Sequence, residues 1–286
     1  VAHNYLAHWH DAIDVATYGN PDPAAADTPA AGTYDADPDR LPESIDFYGN
    51  DMFNMGDNCI ESDGGAHNIR VFRNRCFNAA AQALSAQPMY GGPVYFYENL
   101  VYNTPSGGSL KFVATPAGVL VYQNTFVGEV AARGPASNVH FRNNLIVAQG
   151  AADPVFAVGS YTSYSSSDYN AFCPNPGNAQ AFEWDTPPRG VLAAYRSTPE
   201  VHRYRSLEEY SAATGQDGHS VVVGLDVFTH VALPDRSDPQ RLYAPDGLDF
   251  TLRQGSRAVD AGTQLPSITD AFTGKAPHIG AYEAGR

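Results

Sequence analysis

At 286 residues, with 31 acidic against 17 basic side chains and a net charge of −14, the chain is a poor partner for nucleic acid or for an anionic membrane surface. No apolar run reaches the roughly 18 residues that a membrane-spanning helix needs, so no span is expected. The length allows one domain or two.

From its first residues the chain repeats itself. Asn50-Asp-Met-Phe, Asn74-Arg-Cys-Phe, Asn99-Leu-Val-Tyr, Asn124-Thr-Phe-Val and Asn144-Leu-Ile-Val are copies of one motif, with weaker copies at Asn4 and Asn170. Their intervals of 24, 25, 25, 20 and 26 residues are those of a stacked supersecondary unit. Because Val1 and Asn4 already match the pattern and no signal peptide precedes them, the chain reads as a mature or truncated one that has lost earlier coils. Residues 1–176 are predicted to be solenoid coils, and 177–286 irregular coils and a cap of the same domain.

The flanks of each Asn identify the unit. Ile45, Ile69, Val94, Val119 and Val139 stand five residues before it, Phe47, Val71, Phe96, Val121 and Phe141 three before, and Met52, Cys76, Val101, Phe126 and Ile146 two after. Apolar residues at period two, rich in β-branched and aromatic types, are strands with one buried face. A single residue joining two strands must bend sharply. The Asn is expected to take the left-handed conformation there, and stacked Asn side chains would hydrogen-bond from coil to coil. This pattern resembles the asparagine ladder of right-handed parallel β-helices. The resemblance implies an all-β, right-handed parallel β-helix solenoid with a long T1-type loop insertion and an irregular C-terminal capping region. The insertion is the Pro-, Ala- and Asp-rich stretch 20–43, holding Asp22, Asp27, Asp35, Asp37 and Asp39.

A third strand follows each Asn strand: His10-Asp-Ala-Ile-Asp14, Asp57-Asn-Cys-Ile-Glu61, Ala81-Gln-Ala-Leu-Ser85 and Gly107-Gly-Ser-Leu-Lys111. With Ile13, Ile60, Leu84 and Leu110 inward, Asp14, Glu61, Ser85 and Lys111 form one outward ladder. Two carboxylates about 5 Å apart cannot both stay ionised cheaply, so either one holds a proton or a cation lies between them. The first case supplies an acid and a base for glycosidic hydrolysis. The second is a hard-cation site in which Asp14, Asp57, Glu61 and Asp63 can hold Ca2+, and Lys111 or an arginine then serves as the base of a lyase. His10, His67 and Arg70 are close enough in sequence to bind substrate. A second outward ladder of Tyr48, Phe72, Tyr97 and Tyr122, ending at Arg142, offers ring faces on which sugars can lie. His3, His8 and His10 read as surface histidines rather than a metal site. Cys59, Cys76 and Cys173 are odd in number and lack ligand spacing, so buried free thiols are expected.

Beyond Asn170 the period fades. Ser206 and Glu209 have capping-box spacing, Leu207 and Tyr210 mark the apolar side of a short helix, Gly215 can end it, and Val221–Val223 is a returning strand. The stretch from Leu252 to Glu283 resembles the terminal segment of bacterial secreted β-helix repeat proteins, and is expected to cover the open end of the stack.

Asp11-Ala-Ile-Asp14 and Gly56-Asp57-Asn58-Cys59-Ile60 resemble the Asn-Thr-Asp-Gly-Ile-Asp and Gly-Asp-Asp-Cys-Ile motifs of the polygalacturonase family, inverting hydrolases on this fold. That resemblance implies Asp57 as general acid and Asp11 as general base. Asn58 stands where the family has a second Asp, and Asn68-Ile-Arg70 is the nearest approach to its Arg-Ile-Lys motif. The expectation is an extracellular, bacterial protein whose partner is a polysaccharide, cleaved by carboxylate acid/base hydrolysis without a cofactor. Its alternatives are a Ca2+-assisted, pectate-lyase-like polysaccharide lyase, and a noncatalytic glycan-binding or surface structural β-helix.

Overall fold

The repeat is a stack of parallel strands because each buried Asn satisfies the next. In the computed structural model, which describes residues 1–15, 42–87, 89–149, 154–188, 190–192 and 200–283, seven asparagines form one column. Asn4 Nδ2 donates to Asn50 Oδ1 at 2.9 Å, Asn50 to Asn74 at 2.9 Å, and Asn74 to Asn99 at 3.1 Å. Asn99 then donates to Asn124 at 3.0 Å, Asn124 to Asn144 at 2.9 Å, and Asn144 to Asn170 at 3.0 Å. Each receiving Oδ1 also takes the backbone N–H of the Asn that donates to it. Groups that would be unpaired in the core are thereby paired across turns.

The first turn supplies β1 (Tyr5–Ala7) and β2 (Ile13–Asp14). The next three supply β3 (Glu43–Tyr48), β4 (Asp51–Met55) and β5 (Ile60–Glu61); β6 (His67–Phe72), β7 (Arg75–Ala79) and β8 (Leu84–Ala86); and β9 (Tyr90–Tyr97), β10 (Leu100–Tyr102) and β11 (Leu110–Phe112). Then come β12 (Ala117–Tyr122), β13 (Thr125–Val127), β14 (Val130–Arg142), β15 (Leu145–Val147), β16 (Phe156–Ser160), β17 (Ser166–Asp168), β18 (Ala171–Cys173) and β19 (Phe182–Asp185). Three sheets result. The ladder sheet is β1-β4-β7-β10-β13-β15-β18, a short sheet is β2-β5-β8-β11, and an aromatic sheet runs from β3 through β6, β9, β12, β14 and β16 to β19, with β17 on β14. The pairs between successive turns are parallel. Phe47, Val71, Phe96, Val121 and Phe141 from the aromatic sheet, Met52, Cys76, Val101, Phe126 and Ile146 from the ladder sheet, and Ile60, Leu84 and Leu110 from the short sheet fill the interior. The insertion expected at 20–43 falls between β2 and β3 and, apart from Pro42 and Glu43, lies outside the described residues.

Three expectations are corrected. The ladder Asn is not the bending residue. The left-handed conformation falls one residue earlier, at Gly49 (φ 63°), Arg73 (55°), Glu98 (54°), Gln123 (57°), Asn143 (57°) and Tyr169 (57°). The reason is that the Asn backbone N–H must itself point along the stack to the next Oδ1, so the corner is turned before it. A left-handed Asn does occur at the other end of the ladder-sheet strands, where Asn54 (62°), Asn78 (62°) and Asn103 (67°) form a second ladder with Nδ2 to Oδ1 bonds of 2.8 and 2.9 Å.

Nor are Cys59 and Cys76 free thiols. They form a disulfide, with Cα atoms 6.1 Å apart, because both are buried in the interior on successive turns. Cys173 remains free.

Past β19, β20 (Arg203–Tyr204) pairs antiparallel with it, and α1 (Leu207–Thr214) begins at Ser206, whose side chain accepts from Glu209 N, and ends at the left-handed Gly215. Tyr210 packs on Phe182 and Trp184. It also donates to Asp217, which receives the last ladder amide, Asn170 Nδ2, at 3.0 Å. β21 (Val221–Val222) adds to the ladder sheet, as expected of a returning strand. The open end is therefore covered by α1 and Asp217, and the segment after 224 does something else. It lies along the outer face of the ladder sheet, where Phe250 and Tyr243 cover Phe77 and Tyr102. Corner side chains pin it: Asn78 to Tyr243 O, Gln123 to His278 O and Asn143 to Thr263 O. The apolar outer face of that sheet made this covering necessary.

Asn99→Ala should cost about 3 kcal/mol, since it strands several buried groups at once, whereas Asn4→Ala at the exposed end should cost under about 1 kcal/mol; urea midpoints at unchanged slope measure both. Reducing the Cys59–Cys76 disulfide, 17 residues apart in sequence, should lower stability by about 3 kcal/mol, read as a fall in melting temperature on reduction.

Candidate active site

The short sheet puts its outward residues in register: Asp14 opposite Glu61, Glu61 opposite Ser85, and Ser85 opposite Lys111. Ser85 is small and its hydroxyl turns aside to donate to Asp63 Oδ1 at 2.6 Å, which leaves the rung open. Lys111 reaches back across it. Its Nζ donates to Glu61 Oε1 and to Asn58 Oδ1, both at 3.1 Å, and lies 4.0 Å from Asp63 Oδ2. Asn58 is fully buried and ties the group together, for its backbone N–H donates to Asp11 Oδ1 at 2.9 Å and its Nδ2 to Gln82 O at 2.6 Å. Asp11 Oδ2 in turn lies 2.8 Å from His10 Nδ1. Donor atoms of His10, Asp11 and Asp57 lie within 4.8 Å of one another.

Burial decides the two acids, and the acids decide Lys111. Burial pushes the Glu61 carboxyl upward against the opposing pull of Lys111, and it drives Asp63 up to about 7 although Ser85 and Gln87 N both donate to it. Burial draws Lys111 down, but Glu61, Asp63 and Asp57 outweigh it and leave the ammonium above its ordinary value. The hydrogen bond to Asp11 raises His10. Burial thus favours the neutral form of the Glu61–Lys111 pair, and the attraction between the two, which prevails at Lys111, favours the ionic one.

Of the residues singled out in the sequence, His10, Asp11, Asp14, Asp57, Glu61, Asp63 and Lys111 come together on this flank. His67 and Arg70 do not. His67 pairs with Glu43 at 3.1 Å, and Arg70 makes a bidentate pair with Asp46 at 2.6 Å, both on the aromatic sheet. On that sheet Tyr48, Phe72 and Tyr97 stack, with centroids 4.9 and 4.7 Å apart and planes within 10° and 4°, and Tyr122 follows in register. The parts of Asn58, which accepts from Lys111, and of Ser85, which donates to Asp63, do not follow from the ladder alone. Asn58 stood out only as a departure from a family motif, and its inward position between two outward acids was the signal available.

No family model matches the chain, and no curated protein matches it. Among solved structures, the crystal structure of the pectate lyase Pel9A is similar over 83% of this chain and 76% of that one, at 14% identity and a TM-score of 0.26. A likeness so distant says nothing of substrate. Among the described residues no helix is long and apolar enough to cross a membrane.

Because Asp63 binds its proton more tightly folded than unfolded, it favours the folded state fully below about pH 4, and that contribution is lost as pH rises through about 7. Asp63→Asn keeps the acceptor for Ser85 and Gln87 and removes this loss. The variant should gain on the wild type between pH 4 and 8, by at most about 4 kcal/mol, in denaturant titrations across that range.

Proposed function

We propose that this β-helix is an extracellular enzyme that cleaves a uronate-containing polysaccharide by β-elimination on the outer face of the short sheet. The observation that carries the reading is Lys111, whose Nζ is held by Glu61 and Asn58 at the centre of an acidic cluster. Elimination needs one base at C5, not two free carboxylates facing each other across a sugar. Here Glu61 is engaged by Lys111, Asp63 by Ser85 and Gln87, and Asp11 by Asn58 and His10.

The pair can deliver that base. In the free protein the acids hold the Lys111 proton against burial; a glycan chain laid over the cluster excludes water and deepens that desolvation until the proton of Lys111 passes to Glu61. The neutral amine takes the C5 proton, electrons from that C–H bond form the C4–C5 double bond, and the bond from C4 to the linking oxygen breaks. Glu61, now protonated, is the acid within reach of the departing oxygen. His10, Asp11 and Asp57 would hold a divalent cation, with Asp14 beside Glu61 adding oxygen donors of the kind Ca2+ prefers, and its charge would neutralise the uronate carboxylate. The stacked rings of Tyr48, Phe72 and Tyr97, with Tyr122, supply a sugar-binding face on the adjoining sheet. The disulfide fits an oxidising compartment outside the cytosol.

A second reading, glycoside hydrolysis, draws on one observation: Asp63, pushed up to about 7, has the protonation state of a general acid near neutral pH.

On a panel of uronate-containing and neutral polysaccharides with added Ca2+, the wild type should produce the ultraviolet absorbance of an unsaturated uronate. Lys111→Ala should lose about 10²–10⁴-fold in rate, and Lys111→Arg should not restore it, because a guanidinium stays protonated. Reducing ends released without that absorbance would move the assignment to hydrolysis through Asp63. Silence over the whole panel, with glycan binding unchanged by Glu61→Gln, would leave a noncatalytic β-helix.

A further inference from the structure

The aromatic sheet carries a second constellation, on turns beyond Tyr122. β14 and β17 pair in parallel, with His140 opposite Ser166 and Arg142 opposite Asp168. Val139, Phe141 and Ser167 are buried on the inner face, so His140, Arg142, Ser166 and Asp168 point outward by the period of two. Ser166 Oγ lies 2.8 Å from His140 Nδ1 and accepts from Arg142 Nη2 at 2.9 Å. On the far side of the imidazole, Nε2 lies 2.9 Å from Asn138 Oδ1.

These contacts assign the protons. Asn138 Oδ1 can only accept, so Nε2 carries the hydrogen, and Nδ1 of the neutral ring is left with a lone pair. The Ser166 hydroxyl, already accepting from Arg142, therefore donates to Nδ1. Burial and the Arg142 charge hold His140 below its ordinary value, which keeps the ring neutral with its lone pair free to take a proton. Asp168, the neighbouring acid, is taken up by His219 at 2.8 Å, which itself stacks on Tyr169. Nucleophile, base and orienting group thus stand in hydrogen-bond sequence, with a guanidinium beside the oxygen that would attack. The outward file that holds Arg142 also holds Tyr48, Phe72, Tyr97 and Tyr122, one per turn, so the stacked rings lead to the side of Ser166.

We propose that Ser166 is the nucleophile of an esterase centre that removes acyl groups from a glycan lying along the Tyr48–Tyr122 file. Ser166 Oγ adds to the ester carbonyl carbon while its proton passes to His140 Nδ1, and Arg142 faces the oxyanion that forms. The bond from the carbonyl carbon to the sugar oxygen then breaks, and that oxygen takes the proton from Nδ1. Water adds to the acyl-serine, giving a proton to the same nitrogen, and the carboxylic acid leaves as Ser166 regains its hydrogen. The proposal shares with elimination at Lys111 only the glycan as substrate, and its chemistry calls on neither a cation nor a uronate.

The test is covalent labelling of the full chain with a fluorophosphonate, with the adduct located by peptide mass spectrometry. A single adduct on Ser166 of the wild type is expected, together with hydrolysis of 4-nitrophenyl acetate. Ser166→Ala should lose both, and His140→Gln should slow labelling at least 100-fold. O-acetylated xylan, pectin or alginate should slow labelling several-fold where acetate ion does not. Absence of an adduct on wild-type Ser166 overturns the centre whatever the variants do. Labelling unchanged in a folded His140→Gln overturns the role of the base, and lack of protection by all three glycans overturns the substrate.

Discussion

Everything in this molecule depends on buried amides that must find partners. An Asn carboxamide inside a protein costs free energy unless its donors and acceptor are satisfied, and in this chain each is satisfied by the next copy of itself. The column fixes turn upon turn in register, and register alone lets side chains some 50 residues apart, such as Glu61 and Lys111, meet at 3.1 Å. The ladder needs an end, which Asp217 provides with help from Tyr210 and Ser220.

Register also explains why the outer faces differ in character. A residue and its copies one turn away share a file, so a single residue type becomes a stripe. Aromatic rings in one file stack into a track on the aromatic sheet. Acids in another file would repel, and the short sheet answers this by inserting Ser85 between Glu61 and Lys111, so that the lysine bridges the gap and binds the acid. The apolar outer face of the ladder sheet could not face water, and the C-terminal segment lies over it.

The cluster around Lys111 and the group around Ser166 are built in the same way, from residues of adjacent turns that share a face. Each consists of side chains that hydrogen-bond to one another and so fix each other's positions. They stand on different sheets and on different turns of the stack.

The recurring Asn, the inward triplet of apolar residues around it and the outward alternation were legible because each depends on local spacing, and a period of two or of about 25 is written directly in the chain. Asp14, Glu61, Ser85 and Lys111 could therefore be aligned in advance. Three things could not be. The disulfide required knowing that Cys59 and Cys76 approach across the core, the partners of Asn58 required knowing that its backbone N–H meets Asp11 while its side-chain oxygen meets Lys111, and the covering of the ladder sheet required the path of a segment without period. Each of these depends on distances between residues far apart in sequence, which only the stacked turns bring together.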